Sequence, residues 1–233
     1  MSGVRDLKAQ VLDANLELVR RGLVIQSFGN ASGIDRDAGL VIIKPSGVAY
    51  EALTADNLVV VDLEGRTVEG TLRPSSDLPT HLALYKAFLP IGGITHTHSR
   101  MATSWAQAGR EIPCLGTTHA DSFRGPVPVT EAMTQAEIRA SYEWNTGQVI
   151  VRRFTTLNPL ECPAVLVHGH GPFCWGRTPA DAANIAVILE EVAGMAWRTV
   201  TLNPGVAPIS TALRDKHFLR KHGPGAYYGQ GSG

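Results

Sequence analysis

Apolar positions define the first element of the chain. Leu7, Val11, Leu12, Leu16 and Val19 recur at helical spacing, and Gly22 supplies a stop. The pattern then changes, and "LVIQSFGNASGID" and "GLVIIKP" read as two strands joined by a turn around Asp35–Gly39. "NLVVVDLEGRTVEG" reads as a further hairpin with Glu64–Gly65 at its turn. "SSDLPTHLALYKAF" opens a helix that Ser76 or Asp77 can cap, with Pro79 in its first turn. "GGITHTHS" is a strand, followed by a short helix from Arg100 to Ala108. Thr134 and Glu137 form a capping-box pattern. "GQVIVRRF", "CPAVLVHGH" and "GPFCWG" read as strands. "TPADAANIAVILEEVAGMAWRTV" is the longest helix, capped by Thr178 ahead of Pro179, and "TALRDKHFLRKHG" is a late basic helix.

Helices and strands interleave, yet several strands are joined by hairpins, which predicts a layered α/β sheet with much antiparallel character. The first helix lacks a Gly-x-Gly-x-x-Gly start, so a dinucleotide fold has no support. No linker or repeat divides the 233 residues, and residues 1–233 read as one domain, the closing "GSG" carrying no weight. Lys plus Arg equals Asp plus Glu at 21 each, a balance that gives no footprint for nucleic acid or an anionic membrane. The longest apolar stretches carry acidic residues and are too short to span a bilayer. The N-terminus mixes charge into a helical pattern and has no secretory h-region, while Cys114, Cys162 and Cys174 form no C-x-x-C pair. A cytoplasmic protein with reduced thiols is the expectation.

His96 and His98 end an apolar run, and residues i and i+2 of a strand share a face, so both rings can aim at one ion. "VLVHGHGPFCWG" places a second pair, His168 and His170, at another strand end. Catalytic zinc takes three protein ligands and keeps a position open, although imidazoles also suit cobalt, nickel or copper, and a carboxylate neighbour would admit manganese. Spacing leaves open which of the second pair turns inward, and His119 is a further candidate beside Asp121. Three turns, "SFGNASG", "KPSGV" and "RPSSD", carry the small residues whose N–H and hydroxyl groups form anion sites, with Lys44 available as a charge at the rim. Each alone is ordinary turn chemistry. Together they suit a phosphate only if the fold unites them.

"GNAS", "IKPSGV", "PSSDLPTH", "IGGITHTHS", "GTTHAD", "VLVHGHGPFCWG" and "DKHFLRKHGPGAYYGQ" occur in an order that resembles the class II aldolase/epimerase family over nearly the whole chain. "RFTTLNPLEC", before Pro163, fits least well. The resemblance implies a three-layer α/β/α fold with a central, largely antiparallel mixed sheet, and a homotetramer with active sites between subunits. It implies one divalent metal per subunit, usually zinc, held by His96, His98 and His170 with Asp77 close by. It places Gly29, Asn30, Ser46, Gly47, Ser75 and Ser76 around a substrate phosphate, and makes Asp121 and Tyr228 the proton-transfer residues, the tyrosine reaching an adjacent subunit's site. His168 and His119 have no ligand role in it.

Asp77 stands where fuculose-phosphate aldolases of the family carry a glutamate base, and this and the "AYYGQ" end favour the epimerase branch. The implied reaction interconverts L-ribulose 5-phosphate and D-xylulose 5-phosphate by breaking and re-forming the C3–C4 bond. A free carboxylate sits near pKa 4 and a phenol near 10, so one or both would have to shift toward neutrality to exchange protons efficiently. The alternatives are an aldolase with the same ligands and a non-catalytic scaffold like the adducin head domain.

Overall fold

The computed structural model describes residues 2–229. Helix α1 (Ser2–Arg20) leads to strands β1 (Asn30–Asp35) and β2 (Leu40–Ile43), and then through two short 3₁₀ turns to β3 (Val59–Asp62) and β4 (Thr67–Glu69). Helix α2 (Leu78–Ala87), β5 (Gly93–His96) and helices α3 (Arg100–Gln107), α4 (Thr117–Ala120), α5 (Gln135–Arg139) and α6 (Tyr142–Arg153) follow. Strands β6 (Ala164–Leu166) and β7 (Pro172–Gly176) precede the long α7 (Pro179–Leu202) and α8 (Thr211–His222). No helix among the described residues is long and apolar enough to cross a membrane.

The strands form one sheet in the order β4-β3-β2-β1-β5-β7-β6. All its pairings are antiparallel. The parallel component of the expected mixed sheet reduces to one isolated bridge, Val129–Leu166, because the connections are hairpins or returns rather than right-handed crossovers. Alternate residues serve the two faces. On one face lie α1 and α7: a Cβ at Gly33 would come within 2.9 Å of Leu7, Val11 and Pro179, and Gly93 and Gly176 leave the same room for the start of α7. Thr95 on this face donates its hydroxyl to the Ala182 carbonyl. On the other face, Ser32 meets His81 and Tyr85 of α2, and α2 packs closely on α6, where Gly147 lies against Ala83 and Thr80. Helices thus cover both faces, the α/β/α layering expected.

Three local readings change. "GQVIVRRF" is the second half of helix α6, not a strand. Its β-branched run matches a strand in isolation, but Thr146, Gly147, Val149 and Ile150 turn one buried face to α2, and Arg152 and Arg153 complement the helix C-terminus. The buried stripe of α1 runs through Val11, Ala14, Asn15 and Leu18, leaving Val19 exposed. Asn15 belongs inside because its side chain accepts from the Ala31 N–H and donates to the Ala31 carbonyl. The strand expected from Leu23 begins only at Asn30, after a turn that contains Gly29.

Candidate metal centre and anion cleft

The centre is built where the middle of the sheet ends. His96 closes β5, paired with Asn30 on one side and Phe173 on the other. Its Nδ1–H donates to the Pro172 carbonyl at 2.9 Å, which leaves Nε2 as a lone-pair donor, and its ring stacks on Phe173 at 4.2 Å. His98 lies just past the strand, its Nε2 3.1 Å from that of His96. Strand β6 stops at Leu166, so His168 and His170 belong to the turn before β7 and not to one strand face. Gly169, at φ +70°, lets that turn close, with the His170 N–H donating to the Val167 carbonyl. His170 points inward and His168 is exposed.

The rings of His96, His98 and His170 lie 4.8–5.0 Å apart between centroids, and one ring nitrogen from each falls within 4.8 Å of the others. Burial lowers the basicity of His98, and it pushes His170 down to about 4, so both offer neutral nitrogens at neutral pH. Three convergent lone pairs in neutral imidazoles fit a borderline divalent cation. Asp77, immediately before α2, accepts from the Asn30 side-chain amide at 2.7 Å. Burial would raise its carboxyl; His96, His81 and Asn30 outweigh it and hold it below the usual carboxylate value.

The fold also unites the three turns. The Ser46 N–H donates to the Arg73 carbonyl and the Ser75 N–H to the Lys44 carbonyl, zipping the second turn to the third. Gly29, at φ +78°, brings the first turn against β5, where a Cβ would stand 2.9 Å from the His96 carbonyl oxygen. Gly29, Asn30, Ser46, Gly47, Ser75, Ser76 and Asp77 thereby line one cleft of about 410 Å³ with the three histidines. Lys44 also lines this cleft, as a buried residue: its ammonium donates to the Val48 carbonyl at 2.7 Å and lies over the Tyr50 ring, so it braces the second turn as well.

Two sequence-derived candidates stand elsewhere. Asp121, at the end of α4, accepts from His217 at 3.0 Å and Arg220 at 2.9 Å and pairs with Lys221 at 3.3 Å. Burial would raise its carboxyl, but these partners hold it low and ionised. Tyr228 lies over Arg220 and Lys221, with the ring centroid 4.8 and 4.3 Å from their charged groups. Asp121 and Tyr228 therefore share one cluster on α8, outside the residues that line the histidine cleft. His119 is buried, donating its Nε2–H to the Gly125 carbonyl, and serves its loop.

The cleft includes residues that sequence reasoning missed. Tyr142 and Glu143 line it from the start of α6, the Tyr142 hydroxyl lying 3.4 Å from His170 Nδ1, and Phe28 stacks on His98 at the mouth. No spacing signal marks them.

The chain matches the Class II Aldolase and Adducin N-terminal domain family over residues 9–197. It is 55% identical over 227 residues to the L-ribulose-5-phosphate 4-epimerase UlaF of Salmonella paratyphi A and to that of Salmonella typhi, covering 97% of this chain and 100% of each relative. Among solved structures, an L-fuculose 1-phosphate aldolase superposes with a TM-score of 0.77 at 24% identity, covering 91% of this chain and 94% of that one. YgbL from Klebsiella pneumoniae, a putative aldolase/epimerase/decarboxylase, superposes with a TM-score of 0.72 at 25% identity, over 91% and 98%. With the fold, the three-histidine centre and this match across most of its length, the chain belongs to the class II aldolase and adducin N-terminal domain family.

Proposed function

We propose that the protein is an isomerase that interconverts L-ribulose 5-phosphate and D-xylulose 5-phosphate by inverting C4, with one divalent cation, zinc, per subunit. The observation that carries this reading is the cleft, with three imidazoles converging at one end and turns rich in N–H and hydroxyl donors at the other. The named activity of the 55%-identical relatives points the same way.

His96, His98 and His170 hold the cation, with Asp77 beside them. A divalent cation bound there supplies Lewis-acid withdrawal of charge from the C2 carbonyl. Gly29, Asn30, Ser46, Gly47, Ser75 and Ser76 grip the phosphate, which tethers the two-carbon aldehyde while it turns over. Asp121 and Tyr228 work on opposite faces of C4. One takes the C4 hydroxyl proton as the C3–C4 bond breaks; the other returns a proton to the aldehyde oxygen as the bond re-forms on the opposite face. No atom is gained or lost. Asp121 is ionised, and its cationic partners move its carboxyl away from neutrality rather than toward it.

This division of labour calls for a second copy of the chain. The Asp121–Tyr228 cluster stands apart from the cleft, so it serves the cleft of an adjacent subunit in a homotetramer. Exposed apolar residues at the far end of α7, Met195, Trp197 and Leu202, support such an assembly.

Following L-ribulose 5-phosphate by a coupled assay for D-xylulose 5-phosphate tests the reading. We expect conversion without net cleavage, loss of activity on chelation and recovery with Zn²⁺. Accumulation of free aldehyde phosphate would favour an aldolase, and full activity in metal-stripped protein would end the cation assignment.

A further inference from the structure

We propose that Asn30 is a positioning residue for Asp77, so that it bears on the cation end of the cleft as well as on the anion end; this rests on the histidine cluster being a cation site. Asn30 opens β1 and pairs in register with His96 of β5, so the sheet fixes its backbone beside the centre. The residue is buried and lines the cleft.

Hydrogen counting shows how its amide is committed. A side-chain amide has two N–H donors and one carbonyl acceptor. Asn30 Nδ2 donates to Asp77 Oδ2 at 2.7 Å and to Ser75 Oγ at 3.1 Å, which uses both hydrogens. The Ser75 oxygen also accepts the Asp77 backbone N–H at 3.3 Å, closing a ring of three residues. Asp77 is thus held twice, its carboxylate by Asn30 and its backbone by Ser75. With both Ser75 lone pairs occupied, the hydroxyl hydrogen is left for an acceptor in the cleft that Ser75 also lines.

This orientation of the amide is kept at a cost. Asn30 Oδ1 is buried and has no hydrogen-bond partner among the described residues, and a buried carbonyl oxygen without a donor is destabilising. Turning the amide over would set that oxygen against the Asp77 carboxylate, acceptor against acceptor. The nitrogen therefore faces Asp77, in a bond of the stronger, charge-assisted kind. A phosphate that accepts from Asn30 has to take a hydrogen from Ser75 or from Asp77. The two ends of the cleft meet in this one side chain.

The test reads cation binding with no phosphate or sugar present. Co²⁺ is titrated into metal-stripped protein in phosphate-free buffer and followed by absorbance, for wild type, Asn30→Ala, Asp77→Asn and the double variant. Asn30→Ala should lose Co²⁺ affinity by on the order of 10-fold. In the Asp77→Asn background the same change should add less than about 2-fold, because its effect runs through the carboxylate. A role confined to phosphate predicts unaltered Co²⁺ affinity in Asn30→Ala, and a packing role predicts the full loss in both backgrounds; either result would overturn the proposal. If Asn30→Ala does not fold, Asn30→Ser, too short to bridge both partners, carries the same expectations. If neither folds, Asp77→Asn alone decides: a loss of similar size supports the proposal, and wild-type Co²⁺ affinity overturns it. Wild-type protein that binds no Co²⁺ would sink the cation reading and this inference with it; normal wild-type binding with unaltered Asn30 variants would sink only this one.

Discussion

Arg220 joins two groups that sequence spacing could not connect, its guanidinium donating to Asp121 and lying under the Tyr228 ring. Tyr228→Phe keeps that ring contact and removes the hydroxyl alone. It should leave the fold and the metal content intact while epimerisation falls by about 10²-fold or more, read from initial rates at matched zinc. At the same scale, His119 links burial to pH. Its basicity is depressed by burial to about 4, against 6.5 in the unfolded chain, so its stabilising contribution is complete above 6.5 and lost as pH falls through about 4. His119→Gln, which can keep the bond to the Gly125 carbonyl, should flatten the decline of Tm over that window. His96 and His98 were legible because H-x-H at a strand end carries geometric meaning; which of His168 and His170 turned inward was not, since it depends on where β6 stops. Tyr142 and Glu143 enter the cleft through packing of α6 on α2, which leaves no trace in local spacing.

Elements explain why the centre keeps its shape. Helix α3 starts two residues after His98, and Glu190 of α7 caps it, accepting from the N–H groups of Met101 and Ala102 at 2.8 and 3.0 Å. The strand end that carries His96 and His98 is therefore pinned by a carboxylate from the longest helix. Glu190→Ala should cost about 1.5–3 kcal/mol in urea unfolding of the apo protein. The capping box at Thr134 and the cap at Thr178 formed as their sequences implied, because capping is a local affair of three residues. The strand assigned to "GQVIVRRF" failed for the converse reason: aliphatic β-branched runs take the form their neighbours impose, and α2 offers a groove for a helix. Whether the three small-residue turns would meet was likewise undecidable locally, since bonds such as Ser75 N–H to the Lys44 carbonyl span tens of residues.

At the scale of the whole molecule, the proposed reading has each cleft draw on two subunits, since Asp121 and Tyr228 lie outside the residues that line the histidine cleft. His98→Ala and Tyr228→Phe should each be nearly inactive alone. Hybrids formed by co-expression should recover activity toward about a quarter of wild type, because one cleft in four pairs an intact histidine set with an intact tyrosine in randomly mixed cyclic tetramers. Parent-level activity in hybrids of verified mixed composition would place both functions on a single subunit. Gly29 has a consequence at this scale too. Because its missing side chain is what lets the first turn rest on the His96 carbonyl, a lesion there would not stay a lesion of sugar anchoring. Any larger residue would shove aside the peptide that carries one imidazole of the centre, and the damaged enzyme would come off the column depleted of its cation, its failure misattributed to the wrong end of the groove.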